Sequence, residues 1–281
     1  KLDDEGLITS YRLYSSGIQI LASVGEAYGT LFGTSYVRDA NGNVVVDANG
    51  LPKISTTNKT LGKFTPDWTG GISNTFSYRS LSLSFLIDAS VGGSIFSNTN
   101  KTGKYTGVLA NTLSGRDAEH GGLWYYTAAM GNNVRLPESP SYSVSSDGLY
   151  YAQVNGQSTR VYQDGIMVEG VTESGSKNEE VVSAEKYYHR IYSIAEANVY
   201  DASYVKLREV ALSYRLPRLW TQKLHLQEAS VTLTGRNLWT IYKSVPNIDP
   251  ESALTTGNAQ GVEAYSLPTT RSFGVNLSVK F

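Results

Sequence analysis

The last eleven residues, Arg271 to Phe281, sort by parity: Phe273, Val275, Leu277, Val279 and Phe281 are apolar, while Ser272, Gly274, Asn276, Ser278 and Lys280 are polar or small. Successive side chains of a strand point to opposite faces. A strict period of two therefore predicts a strand with one greasy face and one wet face. A strand of about ten residues with this division, ending on an aromatic, is the unit of a membrane-spanning β-barrel wall.

Other segments repeat the design. In Ser80 to Val91, Leu81, Leu83, Phe85, Ile87, Ala89 and Val91 share one face; Ser82, Ser84, Asp88 and Ser90 share the other, with Leu86 as the exception. Just upstream, Ile72, Phe76 and Tyr78 alternate with Ser73, Thr75, Ser77 and Arg79. The two runs meet near Tyr78 to Leu81, which predicts a tight hairpin. Later, Val210, Leu212, Tyr214 and Leu216 oppose Glu209, Ala211, Ser213 and Arg215, but Val205 and Leu207 have the other parity. A bulge near Arg208 reconciles the two halves. Val231, Leu233 and Trp239 oppose Thr232, Thr234 and Arg236. Segments Ser16 to Ala22 and Leu31 to Arg38 carry the pattern less regularly, and Tyr187 to Val199 reads as a further strand. If the apolar face meets lipid, the residues facing the lumen include Ser82, Ser84, Asp88, Thr232, Thr234 and Arg236.

The spacers are uneven. Short ones lie at Tyr78 to Leu81 and from Leu216 through Pro217 to Ser230. Long ones run from Asp39 to Trp68, roughly Ser97 to Ala184, and Lys243 to Thr270. Short and long connections on alternate ends are the habit of outer-membrane barrels, with short periplasmic turns and long extracellular loops. A soluble sandwich would show turn signals at even spacing. Charged residues are only 17% and hydrophobic ones 40%, so Gly, Ser, Thr and Asn fill the remainder, as an uncharged wet face requires. Tyr supplies 20 of the aromatics against 7 Phe and 4 Trp, the choice of surfaces that are apolar at one end and wet at the other.

About eight candidate strands are visible, and closing them alone would leave an underfilled interior, because the wet-face residues are small. Left open in lipid, each ten-residue edge would strand about five N–H and five C=O groups at several kcal/mol each. The missing strands are therefore expected elsewhere in a longer polypeptide. The start, Lys1-Leu-Asp-Asp-Glu5, is neither an initiator methionine nor a signal peptide, which agrees with a removed leader or a preceding segment.

Several chemistries find no support. The net charge of −1 gives no electrostatic case for nucleic acid. Without cysteine there is neither a disulfide framework nor thiolate chemistry. His120, His189 and His225 lack metal-ligand spacing. Asp39, Asn41 and Asn43 have the one-three-five spacing of a calcium loop, but Gly42 and Gly50 are misplaced for one, and Asn-Gly on either side of Val44 to Val46 reads better as two turns. Gly103-Lys104 lacks the rest of a phosphate loop, and no nucleophile elbow is present. No catalytic, cofactor or metal residue is assigned, and no enzyme activity is expected. Trp124, Tyr125 and Tyr126, with the pairs Tyr150-Tyr151 and Tyr187-Tyr188, are aromatic clusters suited either to loop packing or to stacking on a sugar or peptide.

The order of motifs resembles one family. Val24-Gly-Glu-Ala-Tyr-Gly29, Leu31-Phe-Gly33 and Tyr36-Val-Arg-Asp39 come first. Pro66-Asp-Trp-Thr-Gly-Gly71, Asn74-Thr-Phe-Ser-Tyr78 and Leu81-Ser-Leu-Ser-Phe-Leu-Ile-Asp88 follow. Asp201-Ala-Ser-Tyr-Val-Lys-Leu-Arg208, Leu212-Ser-Tyr-Arg-Leu-Pro217, Gly235-Arg-Asn-Leu238 and the terminal Phe281 complete the set. Across nearly its whole length the chain resembles the C-terminal part of SusC/RagA-type TonB-dependent transporters of Bacteroidota. The resemblance implies an all-β fold: residues 1–281 as the last strands of a transmembrane antiparallel barrel of about 22 strands with long extracellular loops. It implies an N-terminal plug and further strands in the remainder of the polypeptide, a SusD-like surface lipoprotein as lid, and energy from TonB. It places the protein in the outer membrane, importing an oligosaccharide or oligopeptide without a cofactor. Phe281 matches the terminal aromatic that the barrel-assembly machinery reads. Two other readings remain at this stage: a secreted or surface adhesin that binds glycans, and a small outer-membrane barrel enzyme.

Overall fold

The computed structural model describes residues 8–13, 17–22, 25–223, 225–253 and 260–281. Lys1 to Glu5, Ser16 of the segment Ser16 to Ala22, and Val24 of the first motif lie outside the described residues. The structure is all-β in character, and the chain divides into two compact units.

One unit gathers Ala27–Gly29, Gly62–Ile95 and Tyr200–Phe281. Its centre is an antiparallel sheet, termed the wall, with strands labelled in chain order: β1 (Trp68–Tyr78), β2 (Leu81–Val91), β3 (Tyr204–Arg215), β4 (Glu228–Lys243) and β5 (Ser272–Lys280). The spatial order is β5-β4-β3-β2-β1. The expected hairpin joins β1 to β2, with Tyr78 paired to Leu81 and Arg79 in the left-handed region at φ 52°. Strand pairs and parity run in register across all five strands. Tyr78, Leu81, Tyr214, Val231 and Leu277 form one cross-strand row, and Phe76, Leu83, Leu212, Leu233 and Val275 form the next. The register of β3 slips between Leu207 and Glu209 against both neighbours, so Arg208 is the bulged residue. Beyond the long-loop end of the wall, Ile95, Val245 and Ile248 form a small core with Tyr200 and Ala202. Gly93 there sits at φ 79°, and a Cβ would lie 2.9 Å from the Phe64 carbonyl oxygen, so only glycine fits the turn that leaves β2.

The other unit comprises the described residues of Lys1–Glu26 together with Thr30–Leu61 and Phe96–Val199. Strands Ile8–Leu13, Ile18–Ala22 and Thr30–Gly33 pair antiparallel in sequence order. The span expected as a long loop from Ser97 to Ala184 is instead folded. Its strands Tyr142–Val144, Tyr150–Val154, Gln157–Met167, Leu123–Thr127 and Asn133–Arg135 form a sheet in that order, and Val181–Ser183 also pairs with Gln157–Met167. Trp124, Ala152 and Val161 are buried at its heart.

The segment Tyr187 to Val199, expected as a strand, is mostly helical. A helix spans Ala184–Tyr192 and a short 3-10 turn covers Glu196–Asn198; extended structure resumes only at Val199. Ser183 caps the helix, its hydroxyl accepting from the Lys186 N–H at 3.3 Å. Glu185 lies in the first turn and His189 and Arg190 in the last, each on the favourable end of the helix dipole. Ala184 and Ile191, two turns apart, are the buried side chains. Tyr187, Tyr188, Ile191 and Tyr192, four aromatic or branched residues within six positions, had imitated a strand.

Candidate functional site: a two-faced wall

The wall has two chemically opposite faces. On the apolar face, Ile72 is 66% exposed, Phe76 59%, Leu233 52%, Val275 73% and Phe273 79%. Five neighbouring strands presenting such side chains together make a contiguous apolar surface far beyond the patches that soluble proteins tolerate. Aromatics mark both ends of it. Tyr78 and Tyr214 stand at the hairpin end, and Trp68, Trp239 and Tyr242 at the long-loop end, all more than 40% exposed. Two aromatic belts flanking an aliphatic band is the arrangement of a lipid-facing barrel surface.

The opposite face begins with a row of small polar residues: Ser77, Ser82, Ser213, Thr232 and Asn276, one from each strand. Ser77 Oγ lies 2.8 Å from Ser82 Oγ, and Ser213 Oγ 2.5 Å from Thr232 Oγ1. The next row is Thr75, Ser84, Ala211, Thr234 and Gly274. Nearer the long loops the face becomes charged. Arg236 Nε donates to Glu209 Oε2 at 2.8 Å, and Leu86, the exception to the alternation, sits beside this pair opposite Glu209. Ser82, Ser84, Asp88, Thr232, Thr234 and Arg236 thus lie on one face of one sheet. Phe281 follows the last residue of β5 and is 82% exposed.

Sequence reading missed the most elaborate feature of this face. Lys206, only 4% exposed, donates from Nζ to Asp249 Oδ1 and Glu251 Oε2, both at 2.6 Å. Arg208 donates from Nε and Nη2 to Asp88 Oδ2 at 2.9 and 2.6 Å, and its Nη2 also reaches Glu251 Oε1. Tyr204 Oη donates to Glu251 at 2.9 Å and Thr269 Oγ1 to Asp249 at 2.5 Å. Burial pushes both loop carboxyls up, but the donors from Lys206 and Thr269 to Asp249, and from Arg208, Lys206 and Tyr204 to Glu251, outweigh it and hold both below their usual values. Three carboxylates and two cations therefore fasten Asp249-Pro250-Glu251 to the wet side of β3. The only trace in the sequence is the parity break at Arg208.

In the other unit, a cavity of about 720 Å³ is lined by Tyr36, Lys104, Leu123, Met167, Tyr187 and Tyr188 among others. Tyr188 Oη is 3.1 and 3.0 Å from the carbonyls of Asn111 and Ser114. Lys104 Nζ donates to the Ala197 carbonyl at 2.7 Å and Asn198 Oδ1 at 3.2 Å, and burial pushes its ammonium pKa down to about 8. Of the aromatic clusters, Trp124 is packed inside, stacked on Tyr142 with ring centroids 4.8 Å apart and edge-on to Tyr150. The Asp39 carboxylate is taken up by the N–H groups of Asn41 and Asn43 at 2.9 and 2.8 Å, which is the turn reading of that loop. His120 contacts Asp117 at 2.7 Å and His189 stacks on Tyr105; among the described residues no cluster of three acidic or histidine side chains is placed to hold a metal.

The chain is similar to part of a TonB-dependent receptor. It is 25% identical to TonB-dependent receptor P3 of Formosa agariphila over 286 aligned positions, covering 99% of this chain and 22% of that protein. It thus spans about a fifth of that relative's length. Solved structures that it resembles include the RagAB peptide importer in its closed-closed state, at 17% identity and TM-score 0.46 over 98% of this chain and 25% of that one. The RagAB peptide transporter matches at 17% identity and TM-score 0.48, over 98% and 24% of the two chains. No family model matches the chain. The receptor likeness, running over the full sequence, agrees with the family inferred from the ordered motifs.

Proposed function

We propose that this chain is the C-terminal portion of the barrel of a TonB-dependent transporter in the bacterial outer membrane. In this reading β1–β5 are consecutive wall strands, the apolar face meets lipid, and Ser82, Ser84, Asp88, Thr232, Thr234 and Arg236 face the lumen. The hairpin end is periplasmic, and the long connection from Ser97 to Ala184 is an extracellular loop. The cargo is an oligosaccharide or oligopeptide, the lid is a SusD-like lipoprotein, and plug, TonB contact and remaining strands reside in the rest of the polypeptide. No step needs a catalytic residue. Phe281 serves as the terminal signal for barrel assembly.

The observation that carries this reading is the exposed apolar face shared by five registered strands and bounded by aromatics at both ends. A secreted adhesin would have to leave that face in water. The likeness to a receptor along the whole chain supports the same conclusion. The test is fractionation of the full-length polypeptide. It should partition with outer membranes, migrate faster on gels unheated than boiled, and support TonB-dependent uptake of labelled oligosaccharide or peptide. A protein found in the soluble fraction with heat-independent mobility would overturn the proposal.

A further inference from the structure

The connection from β3 to β4 is longer than the β1–β2 hairpin at the same end, and it carries a helix, Arg218–Lys223. This helix is held on one side. Thr221 is 2% exposed and its carbonyl accepts from the Leu226 N–H at 2.9 Å. Leu216 N–H donates to the Ala229 carbonyl at 2.9 Å and Gln227 N–H to the Lys280 carbonyl at 2.8 Å, tying both ends of the connection to β4 and β5. On the side turned away, Leu219 is 74% exposed and Trp220 57%. A fixed helix thus displays two large apolar side chains that take no part in a core.

Two observations say what covers them. The first is continuity: Leu216 keeps the parity of Leu212 and Tyr214, so the chain runs from the end of the apolar face directly into the helix. The second is charge. Residues 215–227 include Arg215, Arg218 and Lys223 and no carboxylate, and among the described residues there only Arg215 is engaged in an ion pair, with Glu228 at 2.9 Å. Trp at the headgroup level, Leu just below it and basic side chains beside the phosphates are the pattern of a helix lying in a membrane interface.

We propose that Arg218–Lys223 is an interfacial anchor. Leu219 and Trp220 enter the periplasmic leaflet, and Arg218 and Lys223 meet its phosphates. The anchor fixes the height of β3 and β4 in the bilayer at the point where no strand pairing can do so. This rests on the barrel reading, and one experiment separates the two. The full-length protein, with any cysteines outside this chain replaced, is reconstituted in phospholipid bilayers. A nitroxide is attached to Leu219→Cys or, separately, to Leu277→Cys on the wall. Collision rates with oxygen, which concentrates in lipid, and with a water-soluble nickel chelate are then compared. The expected result is an oxygen-to-nickel ratio above one at both sites. A ratio above one at Leu277→Cys but below one at Leu219→Cys overturns the anchor and leaves the barrel. A Leu219→Cys label shielded from both reagents also overturns the anchor, because protein then covers it. A ratio below one at Leu277→Cys overturns the barrel reading and the anchor with it.

Discussion

The facing of the wall predicts a depth series. Each cross-strand row is two residues from the next, a rise of about 6.8 Å along the strand. At the usual tilt of about 40° this is a height of about 5 Å per row. From the row of Tyr78 to that of Trp68 there are five steps, so the apolar face stands about 26 Å tall, close to the lipid-facing band of about 25 Å in such barrels. Leu81 lies at its lower edge, Leu83 one row in, and Val210 two rows in, near the midplane. Substitution by Arg should cost about 0–1 kcal/mol at Leu81, about 2 at Leu83 and about 2–4 at Val210. The neighbours Ser82, Ser84 and Ala211 point to the other face. Arg at these positions enters water and should cost about 0.5 kcal/mol or less. Equilibrium unfolding of the full-length barrel in phospholipid vesicles, followed by the heat-resistant gel band, measures all six. Equal losses on the two faces, or a cost on the apolar face that does not grow with depth, would refute the assignment.

Three further outcomes follow from particular contacts. Lys206→Met leaves Asp249 and Glu251 facing each other with one cation fewer; it should destabilise by about 3–5 kcal/mol and raise hydrogen exchange in residues 246–251, whereas unchanged exchange there would mean the network does not hold the loop. The Lys104 ammonium, lowered to about 8 from 10.5 by burial, binds its proton more weakly folded than unfolded. Stability of the folded loop unit should therefore rise with pH between those values, by up to about 3 kcal/mol, and calorimetry should find this slope flattened in Lys104→Met. Gly50 sits at φ 78°, where a Cβ would lie 2.7 Å from Glu180 Cβ. Gly50→Ala should cost about 1–3 kcal/mol and speed proteolysis of the loop unit; wild-type cleavage rates would contradict the strain.

The wall was legible in the sequence because one physical contrast, oil against water, is imposed on every second residue. The hairpin at Tyr78 to Leu81 and the bulge at Arg208 followed from that contrast alone, since a break in parity has to be absorbed somewhere. The folded unit was not legible. Its strands are as short as Asn133–Arg135 and Tyr142–Val144, too few residues for an alternation to announce them, and the pairing of Gln157–Met167 with Leu123–Thr127 that completes the sheet joins segments far apart in sequence. At Ala184–Tyr192 the deciding signals were a serine cap and charge placement, which act at helix ends and leave no mark on a period-two count.

The charged cluster shows why site residues are harder to read than strands. Without the bulge, strict alternation would put Arg208 and Glu209 on opposite faces. With it, both turn to the wet side: Arg208 bonds Asp88, and Glu209 bonds Arg236. The apolar parity of Val205 and Leu207 before the bulge and of Val210 and Leu212 after it is kept. One extra residue therefore adds a charge to the wet face at no cost to the greasy one. Its second counter-charge, Glu251, comes with Asp249, the partner of Lys206, from a loop that begins only after β4 ends, and nothing in the spacing from Arg208 to Glu251 encodes their meeting. A period fixes which way a side chain points, whereas the partner it finds depends on how a distant loop returns. That is why the wet-face residues named from the alternation are mostly small hydroxyls, while Tyr204, Lys206 and Arg208, which bond the loop directly, emerge only from the fold.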